Sequence, residues 1–227
     1  MTARPDEHIP LGETITDIRP LPSDPNLRSV RVGRRTIARL GADDLEAMGI
    51  EVGQELTGEV WDALDRAGQW HKARKAALGL LGRRSYSTGE IVQRLARRGF
   101  SPELRREVAE QLAADGWIDD EAYAKAVARQ IQSRGPAGKR LIVSRLRQRK
   151  IGREIAEHVA EEAVADVDHV EEGLILARRR LHAMGTVPPG TAARRIGGLL
   201  ARRGLDADTV RSVIDRLRLF DGGDEDL

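Results

Sequence analysis

The 227-residue chain contains no cysteine. That excludes structural disulfides, thiol catalysis and any zinc site built on thiolates. Aromatic residues are almost as scarce, at 3 %, so Val, Ile, Leu and Ala must supply the core. Such a core is thin at each point, as expected of units that bury their faces only against their neighbours. No apolar run approaches the ~20 residues needed to cross a bilayer. The first ten residues, MTARPDEHIP, have neither the apolar segment of a signal peptide nor the Arg/Ser bias of a transit peptide. A soluble, cytoplasmic protein is expected. A large excess of either charge is also missing: 38 Lys and Arg face 36 Asp and Glu, leaving +2, although 33 % of residues are charged. The sum names no partner, and the distribution of charge has to decide.

The usual signatures of catalysis are absent as well. Gly135-Pro136-Ala137-Gly138-Lys139-Arg140 has a glycine-lysine step. It is too short for a phosphate loop and carries Arg140 where the magnesium ligand should be a hydroxyl, so it reads as an interhelical turn. His158 stands four residues before Glu162, but no second histidine shares that helix, and His71, His169 and His182 are scattered. Neither a nucleophile elbow nor a dinucleotide fingerprint occurs. The carboxylate pairs Glu161-Glu162 and Glu171-Glu172 sit among polar residues, without apolar walls to shift a pKa. No enzyme, cofactor or metal is expected.

What the chain does have is repetition. The stretch from Ser85 to Gly116 lies over Gly135–Val164 and again over Val187–Leu217. Ile91, Leu95, Phe100, Val108 and Leu112 then meet Ile142, Leu146, Ile151, Val159 and Ala163, and in the third copy Ile196, Leu200, Leu205, Val213 and Leu217. An offset of roughly fifty residues is that of stacked helical units. Each unit reads as three short helices.

The chain begins differently. Residues 1–26 hold five of the nine prolines (Pro5, Pro10, Pro20, Pro22, Pro25), which predicts a mobile tail with at most a short strand at Thr14–Ile18. Residues 27–68 form a small module. Arg28–Val32 alternates, Gly33-Arg34 turns, and Thr36–Leu40 returns as a β-hairpin. Asp43 and Glu46 suggest a capping box on a short helix. The module is expected to serve as a docking platform for the first long helix.

That helix is expected from Trp70, with Ala73, Ala76, Ala77, Leu80 and Leu81 in one stripe. Ser87 and Glu90 form a second capping box, Gly99 suits a left-handed C-cap, and Ser101-Pro102 starts the third helix. Repeat 1 is therefore placed at 69–117, repeat 2 at 118–169 and repeat 3 at 170–220. Phe220 is expected to be the last packed residue before an acidic tail, 221–227. The fold class is mainly α: three tandem three-helix repeats in an elongated curved array behind a small β-containing module. Trp117 and Tyr123 are assigned to packing between units.

Charge segregation marks the candidate surface. From Arg134 to Arg153 the chain carries Lys139, Arg140, Arg145, Arg147, Arg149 and Lys150 with no acid among them. On the middle helix of repeat 2, Arg140, Arg145 and Arg147 flank the side opposite Ile142, Val143 and Leu146. The matching helix of repeat 1 offers Arg94, Arg97 and Arg98, and that of repeat 3 offers Arg194, Arg195, Arg202 and Arg203. The competing reading is a set of solvated helix faces balanced by the acids of Glu157–Glu172. Arginine pairs bidentately with phosphate and with carboxylate, so DNA and an acidic protein groove are both admissible targets.

Two runs of residues carry a family resemblance. They are Tyr86-Ser-x-x-Glu90-x-x-x-x-Leu95-x-x-x-Gly99 and Leu112-x-x-Asp115-Gly116-Trp117-Ile118-Asp119-Asp120-x-x-Tyr123-Ala124. Together with the three units they resemble the RecX regulatory proteins of bacteria. Leu45-x-x-Met48-Gly49-Ile50-x-x-Gly53-x-Glu55-Leu56 is similar to the N-terminal extension of some members. The resemblance implies a modulator of the RecA recombinase that binds the groove of the RecA–single-stranded-DNA filament. Suppression of strand exchange, ATP hydrolysis and repressor self-cleavage would follow, placing the protein in DNA repair, recombination and the SOS response. The expected partners are the RecA filament and, directly, single-stranded DNA, with no membrane and a monomeric chain. The alternative is a transcriptional repressor that lays its Lys139–Lys150 helix in the major groove of duplex DNA. The family supplies no catalytic residues to transfer.

Overall fold

A computed structural model describes residues 10–218. They fall into two compact units, one ending at Ile118 and the other beginning at Asp119. The expectations for Pro5, Phe220 and the acidic tail 221–227 lie outside the described residues.

The first unit opens with an antiparallel sheet in the order β1-β2-β3: Asp17–Leu21, Asp24–Val32 and Arg35–Gly41. The hairpin between β2 and β3 turns at Gly33, whose φ is +55°, a conformation glycine adopts without a Cβ clash. The tail expected up to residue 26 is replaced, from Asp17 on, by paired strand. Pro20 is on β1 at the edge of the sheet, where a missing N–H costs little. Pro25 falls in the irregular stretch between the Leu21–Asp24 and Pro20–Arg28 pairs, before β2 meets β3 at Leu27–Gly41. Thr14, expected within a strand, makes an isolated bridge to Glu55, and Ile15 beside it is fully buried. Helix α1 (Ala42–Ala47) is capped by Gly41 with no side-chain bond, so the Asp43 box does not form. Asp43 and Asp44 instead occupy its first turn, where the helix dipole favours acids.

Helix α2 runs from Gly58 to Leu81, twelve residues longer at its start than Trp70 suggests. The Thr57 hydroxyl accepts the Val60 N–H and begins it. The helix serves two cores. Leu64 packs with Val30, Leu40, Leu45 and Leu56 against the sheet. Ala73, Ala77 and Leu80 pack with Ile91, Leu95, Val108 and Leu112 of α3 (Thr88–Ala96) and α4 (Pro102–Ala114). At the crossing, Gly68 is buried, and a Cβ there would lie 3.6 Å from the Arg39 carbonyl. His71, on the same helix, accepts the Gly41 N–H through Nε2 at 2.7 Å. The sheet is thus docked on the first half of α2, and the second half belongs to the three-helix group. Both caps expected of that group are present. Ser87 and Glu90 close a reciprocal capping box, and the Ser101 hydroxyl accepts the Leu104 N–H ahead of Pro102.

The second unit contains two more three-helix groups. Helices α5 (Asp120–Gln132), α6 (Lys139–Gln148) and α7 (Arg153–Val164) enclose Ala124, Ile142, Leu146, Ile151 and Val159. Helices α8 (His169–Met184), α9 (Pro189–Arg202) and α10 (Ala207–Arg216) enclose Leu174, Ile196, Leu200, Leu205 and Val213. In all three copies the first, second and fourth of the five superposed apolar residues are buried. Phe100, Ala163 and Leu217 are partly buried against the same cores.

The two groups of this unit touch through backbone. The Gly138 N–H donates to the Arg203 carbonyl at 2.9 Å. A Cβ on Gly138 would fall on the Gly204 carbonyl and stand 2.8 Å from the Leu205 nitrogen; one on Gly204 would stand 2.5 Å from the Leu141 nitrogen. The Gly135–Gly138 turn is therefore more than a connector. Its glycines let one helical group approach the next at backbone distance.

Candidate binding face

The basic residues singled out by sequence are all described, and the structure sorts them by environment. On α3, Arg94 is half-buried, with its guanidinium 5.0 Å from the centroid of the buried Tyr86 ring, over which Arg84 also lies at 3.6 Å. Arg97 caps the helix and is exposed. Arg98 follows, exposed, along the rim of a cleft with Phe100, Leu104 and Glu107.

On α6, Lys139 is paired with Glu161 of α7 at 3.0 Å. The ammonium, which donates a hydrogen bond to Glu161, holds that carboxyl below the usual carboxylate range. Arg140 is exposed. Arg145 is exposed and donates to Gln148 at 3.1 Å, while Arg147 turns back to the Ile151 carbonyl at 2.8 Å. The acids between Glu157 and Glu172 do compensate part of this charge. Besides Glu161, Glu162 takes Lys125, and Glu157 takes Arg153. His158 is exposed, and no group of three potential metal ligands occurs among the described residues.

On α9, Arg194, Arg195 and Arg202 are exposed. Arg203 is different. It is half-buried, its Nε donates to the Pro136 carbonyl at 2.5 Å, and its Nη2 is buried without a hydrogen-bond partner. Its placement on an open face is therefore corrected: this guanidinium is built into the junction between the second and third helical groups. Its position is shared across the copies. Arginine stands three residues beyond the buried leucine each time, at Arg98 after Leu95, Arg149 after Leu146 and Arg203 after Leu200.

Two arginine-lined clefts emerge in the second unit. One, of about 330 Å³, is lined by Val127, Ile131, Arg134, Leu141, Arg145, Arg149 and Arg203 among others. The other, of about 630 Å³, lies between α8 and α9 and has five arginines on its wall: Arg179, Arg180, Arg194, Arg195 and Arg202. Adjacent residues at the end of α9, Arg202 and Arg203, thus belong to neighbouring clefts. Sequence reasoning missed Arg179 and Arg180. The available signal was their three- and four-residue spacing from Leu176, which puts both on the side of α8 that meets α9. Trp117, assigned to packing, keeps 58 % of its surface exposed, whereas Tyr123 packs partly against the core of its own group.

No described helix is long and apolar enough to cross a membrane. The arrangement offers guanidinium groups on helical scaffolds, suited to holding anions.

Comparison with known proteins agrees in sequence and in fold. Residues 73–112 match the model of the first three-helix domain of RecX, and residues 119–159 match that of the second. The chain is 37 % identical over 140 residues to the regulatory protein RecX of Halorhodospira halophila, covering 62 % of this chain and 84 % of that one. It is 31 % identical over 150 residues to the RecX of Pelodictyon phaeoclathratiforme, covering 66 % and 91 % respectively. A crystal structure of a regulatory protein RecX superposes with a TM-score of 0.72 at 20 % identity, covering 89 % of this chain and 98 % of the other. The three-helix groups, the sheet ahead of them and the sequence likeness lead to one assignment: the chain belongs to the RecX family of regulatory proteins.

Proposed function

We propose that the chain is a negative regulator of a RecA recombinase, binding along the RecA–single-stranded-DNA filament. It would suppress strand exchange, ATP hydrolysis and coprotease activity, and so act in DNA repair, recombination and the SOS response. The observation that supports this most, beside family membership, is the recurrence of exposed arginine on the middle helix of each helical group: Arg97, Arg140 with Arg145, and Arg194 with Arg195. A filament repeats its surface at every protomer, and a chain that repeats its cationic helix has the matching periodic character. Several weak contacts made by one chain reinforce one another through effective concentration. A chain held this way obstructs entry of the homologous duplex and needs no catalytic group.

The test is the DNA-stimulated ATPase of purified RecA, with the chain titrated against it. Inhibition is expected at or below one chain per protomer. A chain that instead protects a defined duplex sequence without RecA, and leaves the ATPase unchanged, would overturn the proposal in favour of a DNA-binding repressor.

A further inference from the structure

The cleft between α8 and α9 concentrates positive charge beyond what a solvated helix face requires. Arg179 and Arg180 approach from α8, and Arg194, Arg195 and Arg202 from α9. None of the five has an ion-pair or hydrogen-bond partner for its guanidinium among the described residues. The nearest acid along the same side of α8, Glu172, stands one turn before Leu176, outside the cleft, and pairs with His169 at 4.0 Å. Like charges held this close repel, and the protein tolerates the arrangement on two packed helices. The Arg202 guanidinium lies over α9 itself, with its Nη1 3.4 Å from where a Cβ on Gly198 would stand. The floor is apolar, made by Leu176, Ala183 and Leu199.

We infer that this cleft binds a compact oligophosphate, an anion of triphosphate size. Guanidinium is the side chain that grips phosphoryl oxygens in pairs, through two parallel N–H donors. Size and charge density then select among phosphate ligands. A volume of about 630 Å³ is that of a small-molecule site. A nucleic-acid strand spreads one charge per nucleotide, so five guanidiniums gathered at one cleft exceed the charge that a strand crossing it would present there. Single-strand sites also offer aromatic platforms for the bases, and no aromatic residue lines this cleft. A chain of three phosphoryl groups brings its charges together at one point, where five arginines can share them. The same chemistry comes from a nucleoside triphosphate, whose nucleoside would rest on the Leu176–Leu199 floor, or from inorganic tripolyphosphate. The inference does not require the filament reading, although Arg194 and Arg195 belong to both surfaces.

The experiment is isothermal titration of the full chain with inorganic tripolyphosphate, ATP and AMP, in buffer free of phosphate and sulfate. Saturable one-to-one binding of tripolyphosphate and ATP is expected, with AMP at least tenfold weaker. Equal affinities for the first two would make the phosphate chain the whole ligand, and a preference for ATP would add the nucleoside floor; both support the site. Arg179→Gln combined with Arg194→Gln should weaken binding at least tenfold. These changes relieve repulsion on exposed positions, and far-ultraviolet circular dichroism checks the fold. Arg106→Gln, on α4, should leave binding unchanged. Undiminished binding in the double variant, AMP as tight as ATP, or binding confined to an oligo-dT strand that tripolyphosphate cannot displace would each overturn the inference.

Discussion

Asp206 shows how one side chain can begin a helix and make it sensitive to acid. Its carboxylate accepts the Thr209 N–H at 2.8 Å and the Thr209 hydroxyl at 3.0 Å at the start of α10. The backbone bond is the larger cause of a pKa held below the usual aspartate value. A depressed folded-state pKa stabilises the fold above the unfolded value and loses that contribution as pH falls through the folded one. The wild-type chain should therefore keep this increment from neutral pH down to the ordinary aspartate value of about 3.9 and lose it below that, as pH falls through the lower folded-state value. Asn is nearly as good a cap as Asp and does not titrate. Asp206→Asn should consequently show a shallower fall of the urea midpoint with acidification, the two chains converging at the acid end. Identical slopes would show that the charge on Asp206 contributes nothing to stability. Ser87, by contrast, is fully buried and paired reciprocally with Glu90, so its cap is part of the core rather than of the rim.

At the scale of the element, glycines separate positions where the chain needs bare backbone from positions where it does not. Gly79 lies on α2 with nothing within 4 Å of a Cβ placed there. Gly79→Ala should raise stability by about 0.5–1 kcal/mol, the usual difference in a helix interior. Gly138→Ala should do the opposite. Its methyl group would meet the Gly204 backbone, which cannot swing aside as a side chain can. A loss of roughly 1–3 kcal/mol, the range of overpacking, is expected in urea unfolding. Destabilisation by Gly79→Ala, or neutrality of Gly138→Ala, would contradict the packing described.

The same contrast explains what sequence could tell. Helix starts at Ser87 and Ser101 were legible because a short polar side chain at a cap is a local signal. The buried apolar positions were legible because three copies state them. The first half of α2 was not, since Asp62, Asp65 and Arg66 interrupt its stripe and only the sheet beneath Leu64 gives it a core. The strands around Pro20 and Pro25 escaped for a related reason: proline forbids a ladder donor, and only topology reveals that none is needed there. Arg203 misled the reading of the surface because helical angle cannot foresee that its neighbour across the junction is the Pro136 carbonyl.

Across the whole molecule, a net charge of +2 conceals strong local imbalance. At physiological salt, screening over ~8 Å keeps each cluster nearly independent of charges elsewhere. A polymer would then meet separate basic stations, and a chain using several at once should respond to damage at one more steeply than that station's own interactions suggest. The structure also selects the residues to change. Arg147 is a poor probe, because removing it frees the Ile151 carbonyl, and Arg203 is worse, because it ties two helical groups. Arg140 and Arg145 are exposed on α6 and hold no backbone. Arg140→Glu combined with Arg145→Glu should leave helicity unchanged by circular dichroism and raise the concentration needed for half-inhibition of the RecA ATPase at least tenfold. The salt dependence of that inhibition should flatten, by a slope of about 0.7 for each single-strand phosphate that α6 no longer neutralises. If tenfold weakening comes with an unaltered salt slope, the partner of α6 is an acidic protein surface and not DNA. If a folded double variant inhibits as the parent does, α6 lies away from the filament and the binding belongs to another helical group.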